Sequence, residues 1–294
     1  MLAIVIPYYK LTFFEETLQS LANQTDKRFR VYIGDDASSE NPTSLLDIYQ
    51  DKFDFVYHRF ETNLGGVSLT QQWERCIALC NNEEWVMILG DDDFLSENVV
   101  ERFYFNLSEF ITKANLVRFA SRTIVQEENH KAGICEHPVW ENATESYYRK
   151  FKLITRSSLS EYVFSKQVYE KYGFYNYPLA WNSDDRAWLD FSDDKPIYSI
   201  NEGLVNIRLS NLSITGRKDN LVLKNNSLVL FHKYIIQNKL RHFNKYDRIK
   251  IIRKYHYELK KMKSIDFSDW LFLFNNYVRN INMPVIKGFL KKYI

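Results

Sequence analysis

Three consecutive aspartates, Asp91, Asp92 and Asp93, follow Gly90 at the end of an apolar run, Trp85-Val86-Met87-Ile88-Leu89. Carboxylates crowded where an apolar strand meets a loop repel one another and lose hydration, which favours their neutral forms. A divalent cation removes that conflict, and hard oxygen ligands suit Mn2+ or Mg2+. The cluster is therefore read as a metal-binding loop. The plainer alternative is a solvated turn in which Asp93 or Ser96 caps the next helix.

Three other groups stand at the ends of expected strands: Pro7-Tyr8-Tyr9, Asp35-Asp36 and Asn63-Leu64-Gly65-Gly66. A parallel sheet brings the carboxyl ends of its strands to one edge, where open α/β sheets bind ligands. Taken singly, Asp35-Asp36 reads as a turn or helix cap and Asn63–Gly66 as a glycine turn. Their shared placement is what points to a site. A further acidic pair, Asp184-Asp185, begins an expected helix, where carboxylates also complement the helix dipole.

The elements that would position these groups alternate along the chain. Ala3–Tyr8, Arg30–Gly34, Phe53–Arg59, Trp85–Leu89 and Leu116–Ala120 read as strands. Helices are expected over Phe13–Asn23, Pro42–Gln50, Leu69–Asn81 and Glu97–Ile111. Short strand–helix alternation predicts an α/β fold with a mostly parallel sheet and helices on both faces. Residues 126–150 read as a long polar loop or lid. Helices are expected over Ser165–Tyr172, closed by Gly173, and from Ser183 to Phe191. Pro196–Arg208 reads as a strand pair or strand edge.

The 294 residues allow one large domain with an appendage, and a hydrophobic content of 45% suits a full core. The net charge of +2 conceals an asymmetry. Residues 1–214 carry 21 basic and 32 acidic side chains, whereas residues 215–294 carry 18 and 5. The domain expectation is 1–215 for the α/β part and 216–294 for a basic, helical C-terminal extension. Such a segment suits an anionic membrane surface, or it packs as an ordinary soluble helical tail. Cys76, Cys80 and Cys135 form no disulfide framework. No signal peptide and no run of about 18 apolar residues is found, so a cytoplasmic location, with peripheral contact at the inner membrane face, is expected.

Together these motifs resemble the family 2 glycosyltransferases, which have a GT-A fold. The resemblance covers roughly residues 1–215. It rests on a strand entering Pro-x-Tyr, on Leu18–Thr25 (Leu-x-Ser-Leu-x-x-Gln-Thr), and on a strand ending in Asp-Asp-x-Ser at Asp35–Ser38. It continues with Asn63-Leu64-Gly65 and the acidic loop. The resemblance implies that Pro7 and Tyr9 line the base pocket of a nucleotide and that Asp36 meets the base, with Asn63 and Gly65 in the same nucleotide-binding set. Asp91 would lie near the ribose. Asp92 matches the direct metal ligand, followed by Asp93; the first acid of the family's DxD motif is Gly90 here. Gly173-Phe174-Tyr175 followed by Asp184-Asp185-Arg186-Ala187-Trp188-Leu189 resembles the family's second acidic motif, whose second acid is the catalytic base, here Asp185. Ile207-Arg208 with Ser210 and Ser213 resembles a later stretch in which Ser210 replaces a histidine, and Arg208 would assist phosphate charge.

The implied activity is inverting transfer of a sugar from a nucleoside diphosphate sugar, with UDP favoured, to a glycan or lipid-linked acceptor in surface polysaccharide or glycoconjugate synthesis. Nucleic acid is not an expected partner, and oligomerisation is left open. Two rivals are weighed. A nucleotidyltransferase would need a glycine-rich loop after the first strand, and Pro7-Tyr8-Tyr9-Lys10 has none. A catalytically silent nucleotide-sugar-binding or scaffold protein is compatible with the missing first acid and the missing histidine.

Overall fold

The apolar run Leu2–Tyr8 forms the central strand β1, with every residue but Pro7 buried. A strand buried on both faces shows no alternation of polar and apolar residues, as its sequence requires. The computed structural model describes residues 1–280 except Asn129, Leu212, Arg217 and Lys218. After β1 come α1 (Phe14–Ala22), β2 (Phe29–Asp35), α2 (Thr43–Tyr49), β3 (Phe55–Arg59), α3 (Leu69–Ile77) and β4 (Trp85–Ile88). A short β5 (Phe94–Leu95), α4 (Val99–Phe105), α5 (Leu107–Phe110) and β6 (Leu116–Val125) follow. Then come β7 (His130–Lys131), β8 (Trp140–Glu141), α6 (Ala143–Phe151), β9 (Tyr162–Ser165), α7 (Lys166–Tyr172), α8 (Ser183–Phe191) and β10 (Ile197–Leu209).

The sheet runs β3-β2-β1-β4-β9-β6-β10-β5, with β7 on β6 and β8 on β10. Neighbours from β3 to β4 are all parallel, as are β6 and β10. Strand β9 lies antiparallel between β4 and β6, so the sheet is parallel in its first half and mixed beyond. The chain steps from β1 outward to β2 and β3, then returns to place β4 on the other side of β1. That reversal makes the carboxyl ends of β1 and β4 a topological switch point, where side connections diverge and leave a crevice. Ile4, Ile6 and Tyr8 of β1 share a buried cluster with Phe14, Leu18 and Leu21 of α1, and α3 packs on β1 and β2.

Three expectations are corrected. The single helix over Glu97–Ile111 is two, α4 and α5, meeting at Asn106. Residues 126–150 are not one long loop: they contain β7, β8 and most of α6. Helix α6 carries no aliphatic stripe. Its buried face is Ala143, Ser146, Tyr147 and Tyr148, and Glu145 reaches back to the Asn142 N–H at 3.4 Å. Pro196–Arg208 is one long strand with an irregularity between Ile200 and Leu204.

Contacts divide the chain into Met1–Asn176 with Ser183–Arg217, and Tyr177–Asn182 with Lys218–Ile294. Residues 281–294 of the expected C-terminal region lie outside the described residues. The second unit contains α9 (Leu221–Tyr234), α10 (Lys245–Met262) and α11 (Phe267–Arg279). Ile249, Ile251, Ile252, Tyr255 and Leu259 of α10 are buried, along with Phe243 before it and Leu273 and Tyr277 of α11. The apolar face of the basic tail is therefore a helical core, as its spacing at three and four residues suggests. Tyr246 is the exception, at 71% exposed. No helix among the described residues is long and apolar enough to cross a membrane.

Candidate active site

At the switch point the ends of β1 and β4 open into a cleft of about 360 Å³. Pro7, Tyr9, Asp91, Asp92, Asp93 and Arg208 all line it. These come from three strand ends far apart in sequence, and β1–β4 pairing from Leu2↔Trp85 to Val5↔Ile88 sets the first two side by side.

The three aspartates do different work. Asp91 binds the end of β1: its Oδ2 accepts from the backbone N–H of Tyr9 at 2.7 Å and of Lys10 at 2.8 Å. Burial still pushes its carboxyl above the usual range, against those hydrogen bonds. Asp93 is a junction. Its Oδ1 accepts from Arg208 N at 2.8 Å and its Oδ2 from Ser160 Oγ at 2.5 Å, joining the β4 loop to β10 and to the turn before β9. Burial nevertheless raises it to about 6. Asp92 is pushed up to about 8, first by burial and then by the charges of Asp93 and Asp91.

No three Asp, Glu, His or Cys side chains form a ready-made cation cage among the described residues. A hydrated Mg2+ or Mn2+ needs less, because one or two carboxylates suffice when a diphosphate completes its shell. The site has room for that arrangement. A Cβ on Gly90 would stand 3.0 Å from Asp92 Oδ1 and 3.1 Å from Asp93 Oδ2, so the glycine lets the two carboxylates converge. Burial is the main reason both carboxyls resist ionising, with the Asp93 and Asp91 charges adding to it at Asp92, and a cation would offset both effects. Asp92 and Asp93 thus fit a divalent ion bound together with a diphosphate.

Arg208 is buried, and its guanidinium lies 4.2 Å from the Phe13 ring centre. It donates to the Asp92 carbonyl at 3.1 Å and also engages Gln126 and Glu16. Sequence reasoning missed Glu16 and Gln126, and also the wall formed by Ser158, Leu159 and Ser160 and the apolar lining from Phe13, Leu69 and Trp73. The Leu18–Thr25 motif on α1 lies close to Glu16, but nothing in it marks that residue as a partner for a strand nearly 200 positions on.

Asp36, Asn63 and Gly65 do not line the cleft; they form one hydrogen-bonded cluster at the end of β2. Asp36 Oδ1 accepts from Leu64 N at 2.7 Å and Oδ2 from Gly65 N at 2.9 Å, and Arg75 closes an ion pair on Oδ1. Burial raises the Asp36 carboxyl, opposed by these N–H donors. Asn63 Oδ1 accepts from Gly66 N at 2.6 Å. A Cβ on Gly65 would lie 2.5 Å from Asp36 Oδ2, which Arg75 and two amides hold in place. Gly65→Ala is therefore expected to cost about 1–3 kcal/mol, the usual range for overpacking. Urea unfolding of the variant checks this, and a midpoint equal to that of the unaltered protein would refute it. Asp35 is wholly structural: Ser38 N, Tyr57 Oη and Arg59 all donate to it.

Asp185 is also outside the cleft. It is buried at the start of α8, and Lys150 Nζ stands 2.6 Å from each of its oxygens. It lines a cavity of about 10 Å³ with Tyr147, Lys150, Ser157, Tyr162 and Trp188. Ser157 faces this cavity while Ser158–Ser160 face the cleft, so a single turn forms part of both walls. Asp184, half-buried beside it, is pushed up to about 7 by burial and by the Asp185 charge.

A half-parallel sheet with an acidic loop at its switch point, fit for a divalent ion and a diphosphate, is the frame of a GT-A glycosyltransferase. Residues 3–171 match the family described as Glycosyl transferase family 2, and the chain belongs to that family. Glycosyltransferase GlyG of Streptococcus pneumoniae serotype 4 is 23% identical over 110 residues, 37% of this chain and 36% of GlyG. The matched stretch is thus little more than a third of that relative's length. The crystal structure of S. aureus TarS 1-349 superposes with a TM-score of 0.64 at 11% identity, covering 97% of this chain and 82% of TarS 1-349. Its complex with UDP-GlcNAc gives a TM-score of 0.66 at 12% identity, with the same coverage. At such identities the likeness establishes the fold.

Proposed function

We propose that the chain is an inverting glycosyltransferase moving a sugar from a UDP-sugar to a hydroxyl of a glycan or lipid-linked acceptor, in surface polysaccharide or glycoconjugate synthesis. The observation that carries this reading is the convergence of Pro7, Tyr9, Asp91–Asp93 and Arg208 on one cleft at the switch point. UDP-GlcNAc is the first donor to test, because a TarS structure with this fold binds it.

In this reading Pro7 and Tyr9 pack against the base, and Asp36, through the loop it holds, shapes the far side of the nucleotide site. Asp92 and Asp93 hold Mn2+ or Mg2+, which when bound neutralises the diphosphate and favours departure of UDP. Arg208 adds positive charge beside the same oxygens. Asp185 accepts the proton of the acceptor hydroxyl. The acceptor oxygen forms its bond to the anomeric carbon from the face opposite the diphosphate. The bond from that carbon to the phosphate oxygen breaks, and its electron pair leaves with UDP.

Turnover of radiolabelled UDP-, GDP- and dTDP-sugars with Mn2+ tests the proposal. Release of sugar from a UDP-sugar supports it, and release from GDP- or dTDP-sugars alone would overturn the choice of base. UDP binding with no turnover of any donor would favour a silent nucleotide-sugar-binding protein, a reading that the burial of Asp185 against Lys150 keeps in play.

We further propose that the second unit serves at an anionic membrane surface on the cytoplasmic side. Part of its apolar surface forms a helical core, while Leu221, Val222, Tyr246 and Phe267 stay exposed beside the exposed charges of Arg241, Lys245 and Arg253. Each basic residue near such a surface contributes about 1 kcal/mol, screened by salt. Co-sedimentation with phosphatidylglycerol vesicles is expected at low salt and lost at high salt. Absence of binding at low salt would leave the unit as a packing or oligomerisation element.

A further inference from the structure

We propose that Lys150 is a positioning residue for the transfer reaction, fixing the Asp185 carboxylate and supplying its counter-charge; this rests on Asp185 being the base. Lys150 belongs to α6, a helix within the stretch that reads from sequence as a loop. Its ammonium reaches across to the first turn of α8 and lies 2.6 Å from both Asp185 oxygens. Contact with both oxygens fixes the rotation of the carboxyl group as well as its position. Two contacts from one ammonium do not exhaust the acceptor sites of a carboxylate, since each oxygen carries two lone pairs.

The surroundings explain why a clamp is needed. Asp185 is buried and adjoins Asp184, whose own carboxyl is raised by burial and by the Asp185 charge. The other titratable groups nearby are Tyr147 on α6 and Tyr162 on β9. Arg118 is one step further off, 2.5 Å from Ser146 Oγ and 3.3 Å from Tyr162 Oη. Lys150 is the ammonium in direct contact. Burial would lower its own pKa, yet Asp185 and Asp184 outweigh that and hold it above the ordinary lysine value. The ammonium therefore stays charged throughout the range in which the base must work.

A structural lysine and a positioning lysine differ in what its loss does to the pH profile. The rate of UDP-GlcNAc turnover, or of whichever UDP-sugar the donor panel shows to react, is measured against pH for Lys150→Met, Lys150→Arg and Asp185→Asn. An opposite charge within about 4–6 Å typically moves a carboxylate by about 1–3 units. In Lys150→Met the acid limb should therefore move to higher pH by about one unit or more, with kcat reduced and donor KM little changed. Lys150→Arg, which keeps the charge, should restore the limb and part of kcat. A folded Lys150→Met with an unmoved limb overturns the proposal, as does a Lys150→Arg limb as displaced as that of Lys150→Met. Should Lys150→Met fail to fold, Lys150→Gln, which can still donate to one oxygen, is read in the same way. Full transfer in Asp185→Asn removes the base reading itself. Lost transfer there, beside an unmoved limb in Lys150→Met, removes only the role of the lysine.

Discussion

Asp92→Asn is expected to abolish Mn2+-dependent binding of UDP and, without metal, to make the protein more stable at alkaline pH. The first effect follows from the donor set. Changing residues that merely support metal ligands costs about 10–100-fold in affinity, and losing a direct ligand should exceed that. Calorimetry of UDP binding with and without Mn2+ reads it, and unchanged affinity in Mn2+ would remove Asp92 from the metal site. The second effect follows from linkage. Burial and two neighbouring carboxylates raise Asp92 from 3.8 to about 8. A carboxyl that binds its proton more tightly when folded favours the folded state at low pH. That advantage is lost as pH rises from about 4 towards 8. Asp93, raised to about 6, adds a similar loss ending at lower pH. The unaltered protein in EDTA should therefore lose thermal stability between pH 5 and 8.5 and regain it with Mn2+. Asp92→Asn should show a shallower loss and a weaker response to Mn2+. A difference in Tm between the two proteins that is the same at both pH values would contradict this.

The features legible in the sequence were those whose information is local. Strands β1, β2 and β4 announce themselves as short aliphatic runs, because strands buried on both faces need apolar residues at every position. The strand ends followed from them, and Pro7, Tyr9, Asp91, Asp92, Asp93 and Arg208 do share one cleft. Helix α6 was missed because its buried face is two tyrosines, a serine and an alanine, with no Leu, Ile or Val to mark it as apolar. The reversed strand β9, only four residues long, was missed because it gives no signal of direction.

Partnerships across the fold were equally out of reach. Ser160 and Asp93 are 67 residues apart, and Lys150 and Asp185 are 35 apart. Each pair meets only after the sheet has formed. The consequence for function is specific. A motif identified Asp185 as a carboxylate of interest, but only the fold reveals that an ammonium already holds it and that it stands behind the cleft wall. The same applies to Asp36, whose two oxygens carry the Leu64–Gly65 backbone before any base arrives.

Asp185→Asn should lower kcat by about 10²–10⁴, the usual contribution of a general base, while donor affinity is kept. Donor affinity is spared because none of the cleft-lining residues belongs to α8. The substitution also leaves Lys150 facing an amide. Removing one partner of a buried ion pair typically costs about 3–5 kcal/mol, and the cost here should be smaller because the Lys150 side chain is 29% exposed. Rates must therefore be normalised to folded protein, checked by circular dichroism. Asp184→Asn is the necessary control. Asp184 lies next to Asp185 on α8, is half-buried, and is raised to about 7. If Asp185 is the base, Asp184→Asn keeps most of the transfer activity and shifts only its pH dependence. The opposite pattern, with transfer retained in Asp185→Asn and lost in Asp184→Asn, would assign proton abstraction to Asp184 and leave the Lys150–Asp185 pair as its structural support.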